Sequence, residues 1–205
     1  MDAQQTLKSS LNVQNSWSYG NLRQWQTVAF DDFNNITPQS EIAKLLNQES
    51  QLTLDNTLNG YTFTTQFGSL YTCNNRQVVW SEVCRTTYAQ KSYQNLSENH
   101  TQLRLMLSVT FLDRWQDENF IVKIDDKIVY QYSHNWCRKP FQSRCLENGI
   151  NVCGVEEYPD RVGHLIKVEV PHSKSYINVQ FGAEFTNGKC LDASWAVEYI
   201  QIDLK

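Results

Sequence analysis

One stretch of the chain, residues 103–118, limits the possible folds more strongly than any other. Apolar side chains occupy every second position from Leu103 to Phe111, and the positions between them are polar except for Met106. Successive side chains of a β-strand point to opposite faces, so this pattern predicts a long strand with one face in the core.

Similar alternation recurs in shorter segments along the rest of the chain. Residues 120–124 and 128–132 alternate on either side of a predicted reversal at residues 125–127. The last segment, residues 194–204, changes phase near Glu198, which predicts a β-bulge there. Seven or more short strands separated by turn residues predict an all-β fold, an antiparallel β-sandwich of the jelly-roll type.

The chain of 205 residues has the length of one such domain. Residues 1–16 are polar and rich in Gln, Asn and Ser, so we expect a flexible amino-terminal arm before a single domain over residues 17–205. One short helix is predicted to start at Thr37, which can cap it, and to end near Asn47. Residues 133–163 have no periodicity and predict a long loop closed by disulfides.

An even number of cysteines and three N-glycosylation sequons favour a secreted or cell-surface protein with disulfide bonds. The sequons begin at Asn35, Asn95 and Asn99, and the cysteines are Cys73, Cys84, Cys137, Cys145, Cys153 and Cys190. We expect the pairs Cys73–Cys84, Cys137–Cys145 and Cys153–Cys190, although the sequence alone does not fix the pairing. Residues 1–16 contain no apolar segment of a signal peptide, so we expect a leader to have been removed. The alternative is that the protein is intracellular.

Charge and motifs narrow the classes of function. The net charge of −4 and the pI near 5.6 argue against nucleic-acid binding, which needs a basic face. No segment approaches the ~20 apolar residues of a membrane span. The four histidines do not form an H-E-x-x-H motif and no G-x-S-x-G elbow occurs, so we expect a non-enzymatic protein without catalytic residues. An unrecognised hydrolase is the alternative.

Three acidic residues that follow the predicted strand over residues 103–111, Asp113, Asp117 and Glu118, could form part of a calcium site. Ca²⁺ binds about six to eight oxygen ligands, and these carboxylates, with Asp192, could supply some of them. The alternative is a structural turn in which Asp113 accepts hydrogen bonds from backbone N–H groups or pairs with Arg114 or Arg161. No other cofactor is expected.

Two residues of this turn, at positions 113 and 115, have a predicted structural role. Asp113 and Trp115 both fall on the inward phase of the strand, so we expect this pair to lock the turn against Ser194 and Trp195. The ligand hypothesis then rests mainly on Asp117 and Glu118.

Aromatic side chains converge on the predicted long loop: Tyr130, Tyr132, His134, Trp136 and Phe141. Aromatic rings with carboxylates nearby suit sugar recognition, because the C–H face of a pyranose ring stacks on them. The alternative is that the rings belong to the core or its rim. The candidate ligand-binding residues are Asp117, Glu118, Tyr132 and Trp136.

Five short motifs follow one another in residues 103–205. They read D-R-W-Q-D-E at 113–118, D-D-K at 125–127, C-G at 153–154, P-H-S-K-S at 171–175 and D-A-S-W-A at 192–196. Their order and spacing resemble a β-sandwich domain of cysteine-rich secreted and surface proteins of ciliates. The resemblance implies an extracellular, non-enzymatic protein. The first turn differs from that family in having no Gly, and the last motif in having Ala196 in place of Gly.

We therefore expect an extracellular recognition or adhesion module that binds glycans or another surface ligand, such as a protein, through its loops. The alternative is a structural subunit of an extracellular filament, coat or matrix. Such a subunit would assemble through residues 1–16 and its sheet edges.

Overall fold

The computed structural model describes residues 25–33, 60–65, 68–81, 85–138, 140–185 and 192–205. Several predictions lie outside these residues: the amino-terminal arm, the helix after Thr37, and the side chains of Asn35, Cys84 and Cys190.

Eleven β-strands occur in the described part of the chain. They are β1 (Gln26–Asp32), β2 (Thr62–Phe63), β3 (Gly68–Cys73), β4 (Arg76–Ser81), β5 (Thr87–Tyr93), β6 (Gln102–Leu112), β7 (Gln116–Ile124), β8 (Lys127–Asn135), β9 (Arg161–Pro171), β10 (Ile177–Glu184) and β11 (Ser194–Leu204). One sheet has the order β3-β4-β11-β6-β9, with β1 also paired to β11, and the other has the order β2-β5-β10-β7-β8. All neighbours are antiparallel, so the predicted antiparallel β-sandwich of the jelly-roll type is confirmed.

Strand β6 lies inside the first sheet, between β11 and β9, and supplies the centre of the core. All five side chains of the predicted apolar face, from Leu103 to Phe111, are fully buried. Burying five such side chains contributes roughly 8–15 kcal/mol of gross transfer free energy. The predicted bulge is also present, because the pairing of β11 with β6 shifts between Val197 and Tyr199.

Two tight reversals follow the turn residues of the sequence. Asn74 and Asn75 join β3 to β4 with φ values of 49° and 62°, and Asp125 and Asp126 join β7 to β8 with φ values of 48° and 65°. Asn and Asp tolerate positive φ better than most residues, and turns of this kind match the twist of a hairpin.

The segment between β8 and β9 has more structure than its sequence predicts. It contains a seven-residue helix, α1 (Gln142–Asn148), where we expected only irregular loop. None of the residues of α1 is buried, and no side chain caps its start. Of the helices in the described ranges, none is long and apolar enough to cross a membrane.

The disulfides of this segment correct two of the three expected pairings. Cys137 pairs with Cys145 as predicted, with their Cα atoms 6.1 Å apart. Cys73 instead pairs with Cys153, so the predicted Cys73–Cys84 and Cys153–Cys190 bonds are wrong. The observed bond ties the segment between β8 and β9 to the β3–β4 hairpin, because the two cysteines, 80 residues apart in sequence, have Cα atoms 5.6 Å apart. We call residues 136–160 the stapled loop.

Candidate functional site

Backbone pairing attaches the stapled loop to one end of the sandwich. The Trp136 N–H donates to the carbonyl oxygen of Trp115 at 3.0 Å. At the other end of the loop, the Asp160 N–H donates to the Ile150 carbonyl at 2.7 Å and forms an isolated β-bridge. The first bond attaches the start of the loop to the turn before β7, and the second joins two parts of the loop to each other.

The buried carboxylate of Asp160 fixes the middle of the stapled loop. It accepts hydrogen bonds from the Asp113 N–H at 3.0 Å, the Val152 N–H at 2.9 Å and the Cys153 N–H at 3.3 Å. Sequence reasoning missed Asp160, because its three donors lie elsewhere in the chain and no local motif marks it.

Asp113 is also buried and faces the stapled loop. One carboxylate oxygen accepts the Val155 N–H at 2.6 Å, so the backbone hydrogen bond that we expected as an alternative to a metal is present. The other oxygen has no hydrogen-bond partner among the described residues, and a Cβ added to Gly154 would lie 2.4 Å from it. Burial raises the pKa of Asp113 to about 7; the Val155 hydrogen bond opposes this, and the charges of Asp160 and Asp192 add to it.

Trp115 holds the turn between β6 and β7 against β11, as predicted from its inward position in the sequence. Its indole N–H donates to the carbonyl oxygen of Ser194 at 2.8 Å, and its side chain is fully buried. Asp113 differs from the prediction, because its hydrogen bond goes to the stapled loop rather than to Ser194 or Trp195.

Aromatic and imidazole rings line the gap between β8 and β9. His134 stacks on Phe111 with ring centroids 4.5 Å apart, and His164 stacks on Tyr132 with centroids 4.7 Å apart. The Tyr130 hydroxyl and His164 Nε2 are 2.8 Å apart. Burial lowers the pKa of His134 to about 4, assisted by the positive charges of Arg161 and His164, so His134 is neutral at neutral pH.

Two arginines lie at the surface beside these rings. The Arg161 guanidinium donates to the Tyr132 hydroxyl at 2.8 Å, whereas no described side chain is hydrogen-bonded to the Arg144 guanidinium. Neither arginine forms an ion pair with a residue that the structure describes. Arg144 is brought here by the Cys137–Cys145 bond, which holds the helix against the end of β8.

These features surround a cleft of about 450 Å³, which we call the stapled-loop cleft. It is lined by His134, Trp136, Arg144, Cys145, Asn148, Gly149, Ile150, Pro159, Asp160 and Arg161. Trp136 is half-buried and packs edge-on against Tyr158, with centroids 5.2 Å apart. A Cβ at Gly149 would lie 2.2 Å from Pro159 Cβ, so only glycine lets the two sides of the cleft approach this closely.

Two of the four predicted ligand-binding residues belong to this region. Trp136 lines the cleft, and Tyr132 lies behind Arg161 and accepts its hydrogen bond. Asp117 and Glu118 do not line the cleft: a carboxylate oxygen of Asp117 accepts from Asn135 at 3.1 Å, and one of Glu118 accepts the Gln116 N–H at 2.5 Å. A ligand role for these two carboxylates stays a prediction.

The proposed calcium ligands are not gathered in one place. Asp113 faces the stapled loop, whereas Asp117 and Glu118 make hydrogen bonds on the rim formed by β7 and β8. In the ranges that the structure describes, no group of three or more His, Cys, Asp or Glu side chains is arranged to hold a metal ion. Calcium binding at these residues stays a prediction.

A second groove, of about 410 Å³, lies on the five-stranded sheet. Its amide side chains bond to one another: Gln180 donates to Gln90 at 3.2 Å, and the Ser92 hydroxyl donates to Asn178 at 2.5 Å. The residues described along this groove include no aromatic ring. The stapled-loop cleft is the better candidate for a ligand, because it combines an aromatic ring with two guanidinium groups that form no ion pair with a described residue.

The fold therefore defines a β-sandwich protein with a disulfide-stapled loop beside an open cleft. No protein-family model matches the chain, and no curated protein matches it at a significant level.

Several solved structures share this strand architecture at low identity. A cleaved adhesin domain of Lys-gingipain from Porphyromonas gingivalis is 11% identical with a TM-score of 0.48, and the match covers 86% of this chain and 99% of that one. A family 36 carbohydrate-binding module in complex with calcium and xylotriose is 6% identical with a TM-score of 0.42, and the match covers 85% and 99%. Dimeric latent PorU from Porphyromonas gingivalis is 6% identical with a TM-score of 0.40; the match covers 57% of this chain and only 10% of PorU. These likenesses concern the arrangement of strands alone.

Proposed function

We propose that this protein is a non-enzymatic extracellular recognition module that binds glycans in the stapled-loop cleft. The observation that carries the proposal is the half-buried ring of Trp136, which lies in the same cleft as the side chains of Arg144, Asn148 and Arg161. A pyranose ring has an apolar C–H face and a polar edge of hydroxyl groups. A site for it needs an aromatic surface and hydrogen-bonding groups at its margin, and this cleft has both.

The surroundings of Trp136 support binding rather than simple packing. Its ring contacts Tyr158 at an interplanar angle of 72°, an edge-to-face contact that orients the indole. Ile150 and Pro159 add an apolar wall, and Ile150 is 62% exposed. Disulfides persist in oxidising compartments, so the two bonds of the loop support an extracellular location.

A glycan microarray tests this function directly. The purified, disulfide-bonded protein should bind a subset of printed glycans, and Trp136→Ala should weaken that binding by roughly 10-fold, the loss expected for one aromatic contact of about 1–1.5 kcal/mol. Tyr176→Ala is the matched control, because Tyr176 is a 39% exposed aromatic residue beside the start of β10, outside the lining of the cleft. The proposal fails if the folded protein binds no glycan, or if the two variants lose binding equally.

A further inference from the structure

The two arginines of the stapled-loop cleft carry positive charge that no ion pair with a described residue neutralises. Arg144 and Arg161 are exposed, and neither makes an ion pair with a described residue. The chain as a whole carries a net charge of −4, so two neighbouring cations in the stapled-loop cleft run against the overall charge.

Two carboxylates near the cleft, those of Asp160 and Asp117, accept hydrogen bonds from other groups. Asp160 lines the cleft, but its two oxygens accept three backbone N–H groups at 2.9–3.3 Å. Asp117, on the β7–β8 rim, accepts from Asn135. His134 adds no positive charge at neutral pH, because burial lowers its pKa to about 4. Among the described residues, no carboxylate forms an ion pair or a hydrogen bond with the guanidinium group of Arg144 or Arg161.

A guanidinium group offers a planar fork of N–H donors that matches the geometry of a carboxylate or a sulfate. We infer that the ligand of the stapled-loop cleft is an acidic glycan, whose carboxylate or sulfate group binds between Arg144 and Arg161 while a sugar ring packs on Trp136. This inference rests on the proposed glycan-binding function and names its ligand class. Arg161 is oriented for the role by its hydrogen bond to the Tyr132 hydroxyl.

The test uses an array that carries each acidic glycan beside its neutral counterpart: polygalacturonate with its methyl ester, and sulfated with unsulfated dextran. The charged member of at least one pair should bind at least 10-fold more tightly at physiological salt, and the two pairs distinguish a carboxylate ligand from a sulfate ligand. Arg144→Gln and Arg161→Gln should each weaken that binding by about 10-fold. The matched control is Lys127→Gln, which removes one exposed charge at the far end of β8 and should change binding less than about twofold.

Each other outcome contradicts a separate claim. If neutral glycans bind as tightly as acidic ones and Trp136→Ala still weakens them, the acidic ligand is wrong and the proposed function stands. If Lys127→Gln weakens binding as much as the arginine variants, the attraction is non-specific and the inference fails. If the folded protein binds no printed glycan, acidic or neutral, both the inference and the proposed function fail.

Discussion

Replacing Asp113 with Asn should change how the stability of the protein depends on pH. Asp113 is 1% exposed, and burial raises the pKa of its carboxyl group from 3.8 to about 7. The folded protein therefore keeps this proton at pH values at which the unfolded chain has lost it. Below about pH 4 both states are protonated, and as the pH rises toward 7 the Asp113 carboxyl makes the folded state progressively less stable.

The size of the effect follows from the two pKa values of Asp113. One pKa unit corresponds to about 1.4 kcal/mol, so between about pH 5 and about pH 8 the wild-type protein should lose roughly 2–3 kcal/mol through this group. Asn is neutral at every pH and keeps an oxygen that accepts the Val155 N–H. The free energy of unfolding of Asp113→Asn, minus that of the wild type, should therefore rise by roughly 2–3 kcal/mol across this range.

The free energy of unfolding must be compared between Asp113→Asn and the wild type at each pH, because other buried groups change stability with pH in the opposite direction to Asp113. Burial lowers the pKa of His134 to about 4 and also lowers the pKa values of His164 and His172. These histidines stabilise the folded state above about pH 6.5, and that contribution is lost as the pH falls through their folded pKa values. The stability of the wild type therefore combines opposite dependences on pH. Subtracting it from the stability of Asp113→Asn removes the contribution of the histidines, which both proteins share.

Urea unfolding followed by tryptophan fluorescence, with the disulfides intact, measures the difference at each pH. Asp126→Asn, in the exposed β7–β8 turn, controls for the loss of one surface carboxylate and should change stability by less than about 1 kcal/mol at each pH. A constant difference between Asp113→Asn and the wild type from pH 5 to 8 would refute the reasoning.

Two further predictions concern the core and the loop before β6. Trp115→Phe should destabilise the protein by about 1–3 kcal/mol more than Trp195→Phe, because both variants lose an indole ring but only Trp115→Phe leaves the buried Ser194 carbonyl without its donor. Thermal unfolding of the two variants measures the difference, and equal losses of stability would contradict the role of that hydrogen bond. Asn95 and Asn99 are exposed, so secretion from eukaryotic cells should add glycans that peptide N-glycosidase removes, and an unchanged mass after treatment would contradict the sequon prediction.

Local patterns were enough to predict most of the fold. The alternation from Leu103 to Phe111 identifies the buried face of β6, because strand periodicity depends only on neighbouring residues. The phase change near Glu198 identifies the bulge for the same reason. The indole of Trp115 could be assigned to the last strand because the direction of the strand puts it on the inward phase.

The cleft depends on contacts that no local pattern shows. The role of Asp160 as a hydrogen-bond acceptor is visible only in the folded structure, because the N–H groups of Asp113 and Val152 that it binds are not its neighbours in sequence. Helix α1 has no capping side chain, no acidic residue in its first turn and no buried face, so its sequence lacks the usual signals of a helix. The predicted Cys137–Cys145 bond places Arg144 near the end of β8, but nothing in the sequence shows that Arg161 lines the same cleft.

The most direct test of glycan binding in the stapled-loop cleft is a nuclear magnetic resonance titration with the glycan that binds best on the array. The indole N–H of Trp136 and the side-chain N–H groups of Arg144 and Arg161 should shift with a common dissociation constant. The side-chain amides of Gln90 and Gln180, in the groove of the five-stranded sheet, should not move. Shifts confined to those amides, with Trp136 unchanged, would place the ligand in the other groove and contradict the account.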